Sequence, residues 1–176
     1  MINLPIDFKP IGLIHSEHVT AEKTPIQPVY AKGCKGEAVL FPEYAEGLAD
    51  LDGFSHIYLI YYFHQAPPQR LTVKPFLQDI KRGLFATRAP GRPNAIGLSI
   101  VELLGRKGCA LHLDGLDILD NTPLLDIKPY TAKFDCIPSA RNGWLGEVDE
   151  ETTRQTRLCG YAGPSTAISN KKDKTT

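Results

Sequence analysis

The chain has 176 residues, of which 42% are hydrophobic, and 20 Lys plus Arg against 20 Asp plus Glu make it neutral overall. A chain of this size reads as one domain that buries about 70% of its unfolded surface. The composition excludes a wholly disordered or fibrous protein, and no apolar run approaches the roughly 20 residues of a membrane helix.

The first residues, Met1 to Pro5, lack a basic stretch ahead of a long apolar one, so no signal peptide and a cytoplasmic location are expected. Cys34, Cys109, Cys136 and Cys159 lie far apart, and in a reducing compartment free buried thiols are expected. Phe8 to His15 is β-rich after Pro10, and Gly36 to Phe41 reads as a strand closed by Pro42. Tyr44 to Leu51 suits a short helix. Phe54 to Phe63 (FSHIYLIYYF) has the β-branched and aromatic density of a strand covered on both faces.

Ile96 to Leu104 and Cys109 to Leu113 flank Gly105-Arg106-Lys107-Gly108, a hairpin signal. Leu116 to Leu119 and Leu124 to Ile127 flank the turn Asp120-Asn121-Thr122-Pro123. Val148 to Leu158 suits a second helix, with Glu150 and Arg154 at i,i+4. The polar terminus 169–176 reads as disordered. Short strands with punctuated turns, interrupted by 14 Pro and 15 Gly, predict a mainly β barrel or sandwich with few short helices.

Familiar chemistry is missing. There is no G-x-G-x-x-G, P-loop, C-x-x-C or G-x-S-x-G, and the five histidines are dispersed, so neither a Rossmann fold nor a metal site is expected. Charge is unevenly spread. Residues 70–107 carry eight basic side chains (Arg70, Lys74, Lys81, Arg82, Arg88, Arg92, Arg106, Lys107) against Asp79 and Glu102, a local charge of +6. Such a segment attracts an anionic partner or is a solvated loop.

Three segments carry candidate chemistry. Gly83 to Gly97 packs Arg88, Arg92 and Asn94 among prolines that restrict the backbone. Arginine forks suit phosphate or carboxylate, and an asparagine can read an adenine edge. The bland reading is a rigid structural loop. Asp114 to Tyr130 sets four aspartates among β-prone residues, suited to ribose hydroxyls, an ammonium or a sulfonium, or simply to turns and solvated faces. Asp126 should face away from Leu125 and Ile127 and needs a partner such as Lys128. Phe63-His64-Gln65 ends the apolar strand, where polar groups line a site mouth or merely meet solvent.

The segments FATRAPGRPNAIGLSIVELL and LDILDNTPLLDIKPY, preceded by GFSHIYLIYYFHQ and IGLIHSEH, resemble the TrmO/TsaA-like family of S-adenosylmethionine-dependent tRNA methyltransferases over about residues 8–140. The resemblance implies a single small β-barrel over 1–140, a C-terminal appendage over 141–168 packing on it, and a homodimer with the cofactor at or near the subunit interface. It implies N6-methylation of N6-threonylcarbamoyladenosine in threonine tRNA. Matched position by position, the cofactor-binding residues are Gln27, Pro28, Val29, Tyr30, His64, Gln65, Arg88, Leu98, Asp114, Gly115, Leu116 and Asp117.

The acceptor nitrogen is ureido-like and needs a proton acceptor, for which Asp117, Asp126 and Tyr130 are the candidates. Lys81, Arg82, Arg92, Asn94, Arg106, Lys107 and Lys128 are the candidate substrate contacts. The family's longer members carry a C-terminal extension that aids tRNA binding, whereas about 35 residues follow the barrel motifs here. Two further readings stay open: a methyltransferase for another RNA or a small molecule, and a cofactor-binding regulatory barrel without catalysis.

Overall fold

The structure is a computed structural model, and it describes residues 6–148. Eight strands follow in chain order: β1 Gly12–Ser16, β2 Lys35–Leu40, β3 His56–Tyr62, β4 Thr72–Val73, β5 Arg82–Gly83, β6 Ile96–Lys107, β7 Ala110–Asp114 and β8 Thr122–Pro129. Six of them close a barrel in the order β1-β2-β7-β6-β3-β8, and β4 pairs with β5 in a small separate ribbon. Every pairing is antiparallel. The mainly β barrel expected from the sequence is the fold.

Strict alternation builds the core. Along β6, Val101 and Leu103 point inward with Gly97 and Ser99, while Leu98, Ile100 and Leu104 stay exposed. Ile57, Leu59 and Tyr61 of β3 meet Ile14, Leu111, Leu113 and Leu124 inside. Fully burying side chains of this kind contributes about 1.5–3 kcal/mol each relative to exposure. The two-sided cover expected for β3 does not occur among the described residues: Tyr62 is exposed, because the barrel packs only the inner face.

Other boundaries shift for local reasons. The strand predicted from Phe8 starts only at Gly12. The helix predicted over Tyr44–Leu51 is instead two tighter 3-10 segments, Pro42–Leu48 and Leu51–Gly53. β6 continues through Gly105 to Lys107 by way of a register shift, leaving a turn at Gly108, whose φ of 62° favours glycine. Leu116 to Leu119 is no strand. Gly115 has a φ of 86°, and the loop then drops Leu116 and Ile118 into the barrel mouth as plugs. Its hydrogen bonds are irregular: Ser16 Oγ donates to Ile118 O at 2.6 Å, and His18 Nε2 meets Leu116 O at 2.9 Å.

The expected free thiol is also corrected at Cys34, which is buried and disulfide-bonded, while Cys109 and Cys136 are free. The helix predicted from Val148 to Leu158 and the terminal segment 169–176 lie outside the described residues, apart from Val148 itself, whose backbone is extended. No helix among the described residues is long and apolar enough to cross a membrane.

Candidate functional site

Antiparallel closure sends alternate connections to opposite rims. The loops 17–34, 63–95 and 115–121 all emerge at one rim, called here the loop rim. The other, the hairpin rim, carries the connection 41–55 and the β6–β7 turn. Strand stagger, which barrel closure requires, makes β6 project beyond the end of β7: Asp114 pairs with Glu102, whereas Ile96 pairs with Tyr62. The loop after β7 therefore runs beside the projecting part of β6.

That placement puts Asp117 within reach of β6. Ser99 Oγ donates to Asp117 Oδ1 at 2.6 Å, and the Tyr61 hydroxyl lies 3.1 Å from Ser99 Oγ. With the serine proton committed to the carboxylate, Tyr61 must donate to Ser99, so the chain runs one way and ends on Asp117. The residue keeps part of its surface at solvent, yet desolvation of its carboxyl pushes the pKa up to about 6 against the lowering effects of Ser99, its own backbone N–H and Arg88. Burial likewise pushes the Tyr61 phenol up, with the Asp117 charge adding to it. Gly97 makes room for this arrangement, since a Cβ there would collide with the Tyr61 ring.

Arg88 is exposed and donates from Nη1 to Gln27 Oε1 at 2.6 Å. Gln27 precedes the turn Pro28–Tyr30, in which Val29 is exposed. Behind it, Gly33 N donates to Asp114 Oδ1 at 2.7 Å, and the amides of Gly115 and Leu116 both donate to Cys34 O at 3.1 Å. Segments 27–34 and 114–117 are thus laced together, with Arg88 joining them through Gln27 and Asp117 facing β6. His64 Nδ1 lies 3.2 Å from Thr122 Oγ1, and Gln65 Nε2 lies 3.2 Å from His64 Nε2, so this pair joins the same rim through β8.

Leu98 is more than half exposed, and its neighbour Ser99 points inward, so Leu98 lies on the outer wall away from Asp117 of its own barrel. Two proton-acceptor candidates also sit elsewhere. Asp126 Oδ2 pairs with Lys128 Nζ at 2.7 Å and borders a cleft with Ile11, Tyr44 and Phe54 on the hairpin side. Tyr130 packs against Tyr58 and His56 at 5.7 and 6.3 Å between ring centres. The structure gathers Asp117 with Arg88 and Gln27, and leaves Asp126 and Tyr130 apart from them.

The basic segment divides in the same way. Arg92 Nη1 donates to Thr87 O at 3.0 Å with its guanidinium over Phe85, so it braces the loop. Arg82 donates to Gln78 Oε1 at 2.6 Å, and Arg106 donates to Leu48 O at 2.7 Å. Lys74 pairs with Asp79. Lys81, Lys107 and Asn94 are exposed and have no side-chain partner among the described residues. Glu17, His18 and Cys34 bring three potential ligand atoms within 4.8 Å, but His18 already meets a carbonyl and Cys34 is disulfide-bonded, which makes a poor donor set for a metal.

Ser99 and Tyr61 escaped the sequence reading. The available signal was a hydroxyl at an inward position of an otherwise apolar strand, where it must find a partner.

Residues 13–136 match the family model described as the tRNA-methyltransferase O N-terminal domain. The chain belongs to that family. A relative from Pyrococcus abyssi, named a probable S-adenosyl-L-methionine-binding protein, is 50% identical over 145 residues, which cover 82% of this chain and 79% of that one. The rat tRNA (adenine(37)-N6)-methyltransferase is 36% identical over 173 residues, 94% of this chain but 38% of its own length. The crystal structure of TrmO from Pseudomonas aeruginosa superposes with a TM-score of 0.68 at 39% identity, covering 80% of this chain and 62% of that one. The chain therefore spans less than two thirds of the rat enzyme and of the solved Pseudomonas chain.

Proposed function

We propose that this protein is an S-adenosyl-L-methionine-dependent methyltransferase that modifies N6 of N6-threonylcarbamoyladenosine at position 37 of threonine tRNA, the adenine position for which the rat relative is named. The observation that carries the reading is the convergence of Gln27, Arg88, Asp114 and Asp117 on one rim of a TrmO-type barrel.

The donor set fits the cofactor's charges. Arg88 suits its carboxylate, and the carboxylates of Asp114 and Asp117 suit its ammonium or ribose hydroxyls. The segment Pro28–Tyr30 offers exposed apolar surface at Val29. The cofactor supplies a methyl group already activated on sulfonium, so the protein's work is positioning and proton handling.

Asp117 is the proton acceptor we assign. Its pKa of about 6 leaves it mostly ionised at neutral pH while still basic enough to take a proton. Ser99, itself oriented by the Tyr61 hydroxyl, donates to the carboxylate and holds it in one orientation. No metal is needed for this chemistry.

We further propose a homodimer joined through the outer ridge of β6, where Leu98, Ile100 and Leu104 are exposed. Because Leu98 faces away from its own Asp117, its contact with the cofactor is then made across the interface. Light scattering tests the mass.

The decisive assay incubates the protein with methyl-labelled cofactor and total tRNA, followed by nucleoside mass analysis. Label in methylated threonylcarbamoyladenosine supports the reading. Label in another nucleoside or in a metabolite extract moves the substrate, and saturable binding without transfer makes the barrel a sensor.

A further inference from the structure

The segment after the barrel returns to the site's own loop. A 3-10 turn, Gly143–Glu147, sets Trp144 against the stretch that leads into Arg88. Trp144 Nε1 donates to Ala86 O at 2.8 Å. The Arg82 guanidinium lies over the indole, 5.5 Å from the ring centre, within the range of a cation–π contact. Arg82 Nη2 is fixed by Gln78, while its buried Nε has no hydrogen-bond partner, so the ring face is a principal neighbour of this guanidinium.

Between these contacts the chain is short. Arg82–Gly83 is a two-residue strand, the turn Leu84–Ala86 follows, and Arg88 comes two residues after the carbonyl that Trp144 holds. Besides its own bond to Gln27 Oε1, three contacts hold the backbone that carries Arg88: the buried Leu84, the Arg92 bond to Thr87 O, and Trp144 on Ala86 O. The first two belong to the loop itself. Gln27 reaches the Arg88 side chain from the 17–34 loop, and Trp144 braces the backbone from the segment after the barrel.

We infer that Trp144 is a positioning residue that clamps the loop carrying Arg88 and so couples the C-terminal turn to the affinity of the rim site. The link to affinity rests on the reading that Arg88 binds the cofactor; the clamp itself does not. Losing the ring removes one hydrogen bond and one cation–π contact, which together correspond to roughly a fivefold to tenfold weakening.

The chain contains a single tryptophan, so selectively excited fluorescence reports Trp144 alone. In the full-length protein, saturation with S-adenosyl-L-methionine should shift that emission, and Arg88→Ala should abolish the shift. Trp144→Leu should weaken cofactor binding about fivefold to tenfold in KM or Kd with little change in kcat, since the brace acts on binding geometry. Without cofactor, Trp144→Leu should be cut faster by trypsin after Lys81, Arg82 and Arg88. Trp144→Phe keeps a ring under Arg82 and should fall between; it also stands in if the leucine variant folds poorly. Leu145→Ala, on the same turn, should behave as wild type.

Wild-type trypsin rates in Trp144→Leu and Trp144→Phe, at unchanged melting temperature, overturn the clamp. Faster cleavage with unchanged cofactor affinity overturns the coupling. If wild-type protein fails to bind the cofactor at all, the reading of Arg88 falls, and the trypsin comparison still decides the clamp.

Discussion

The loop rim and the hairpin rim are ends of the same six strands, yet they are built differently. At the hairpin rim, β6 and β7 join through a tight turn, Arg106 is spent on the Leu48 carbonyl, and Asp126 is neutralised by Lys128. Both of these groups meet close partners, as structural polar groups do. At the loop rim the connections are long, Arg88 is exposed with only the neutral Gln27 on its guanidinium among the described residues, and Asp117 is held where ionisation is costly. A fold retains such a cost where function uses it. The difference is the reason we assign the proposed chemistry to the loop rim, and it can be broken by experiment.

The largest expected effect is at Asp117. Asp117→Asn should lower methyl transfer by about 100-fold or more, the usual contribution of a general base. Asp126→Asn and Tyr130→Phe, on the other side of the comparison, should change it little. The same substitution should stabilise the fold. The folded pKa of Asp117, about 6, lies above its unfolded value of 3.8. Stability linked to the protonated carboxyl is therefore fully present below the unfolded value and is lost as pH rises through about 6. At neutral pH the ionised group costs about 1–3 kcal/mol, which asparagine avoids. Asp117→Asn should thus melt higher than wild type at pH 7, and the gain should vanish below about pH 4. A lower melting temperature at pH 7 would place Asp117 among ordinary structural carboxylates.

Second is Arg88. A charge-assisted hydrogen bond to a ligand is worth about 1.5–3 kcal/mol, so Arg88→Ala should weaken cofactor binding about 10- to 100-fold by calorimetry. Arg106→Ala, at the hairpin rim, should instead lower stability by about 1 kcal/mol through the loss of its bond to Leu48 O, with cofactor affinity kept. An exchange of these two outcomes would reverse the assignment of the rims.

Both rims were legible in the sequence to different depths. Strands β2, β3, β6, β7 and β8 are legible from their β-prone apolar segments and from the turns that flank them; the one-sided burial of β3 is not, because its outward face is also apolar. Leu116–Leu119, read as a strand from the turn that follows it, misleads, since its apolar side chains serve a loop that plugs the barrel mouth rather than a ladder. Arg88, Gln27 and Asp117 were named because the family motifs carry them. Their grouping was not legible, because it depends on the stagger that carries β6 past β7 and brings Asp117 to Ser99. For the same reason Arg82 and Arg106 read as free charges, and only the packing shows that Gln78 and Leu48 have claimed them.

Third in size is the donor chain onto Asp117. Ser99→Ala removes the bond that favours the charged carboxylate and leaves it desolvated, so the acidic limb of the pH–rate profile should move upward. A shift of roughly one unit corresponds to one hydrogen bond of about 1.4 kcal/mol. Tyr61→Phe acts one bond further away and should move the limb less, in the same direction. Unmoved limbs in both variants would mean that a group other than Asp117 titrates in the rate.

The smallest effect distinguishes the rims as surfaces for RNA. Lys81 is exposed on the loop rim's basic segment, and Lys107 is exposed at the far end of β6, roughly 25 Å along the strand from Ser99 at about 3.3 Å per residue. Neither has a protein partner among the described residues, so replacing either leaves the barrel's own bonds intact. That makes them cleaner probes than Arg82, which supports Trp144. Each lysine that touches a phosphate adds about 0.9 to the slope of log affinity against log salt. If tRNA covers only the loop rim, Lys81→Ala should flatten the slope by about that amount and Lys107→Ala should not change it. If the anticodon arm lies along the barrel wall, both should flatten it equally, while cofactor affinity stays at the wild-type value in each. A wild-type slope in both variants would remove these two exposed charges from the RNA path and turn the search to Lys32, Lys35 and Arg70, which are exposed on or beside the loop-rim connections.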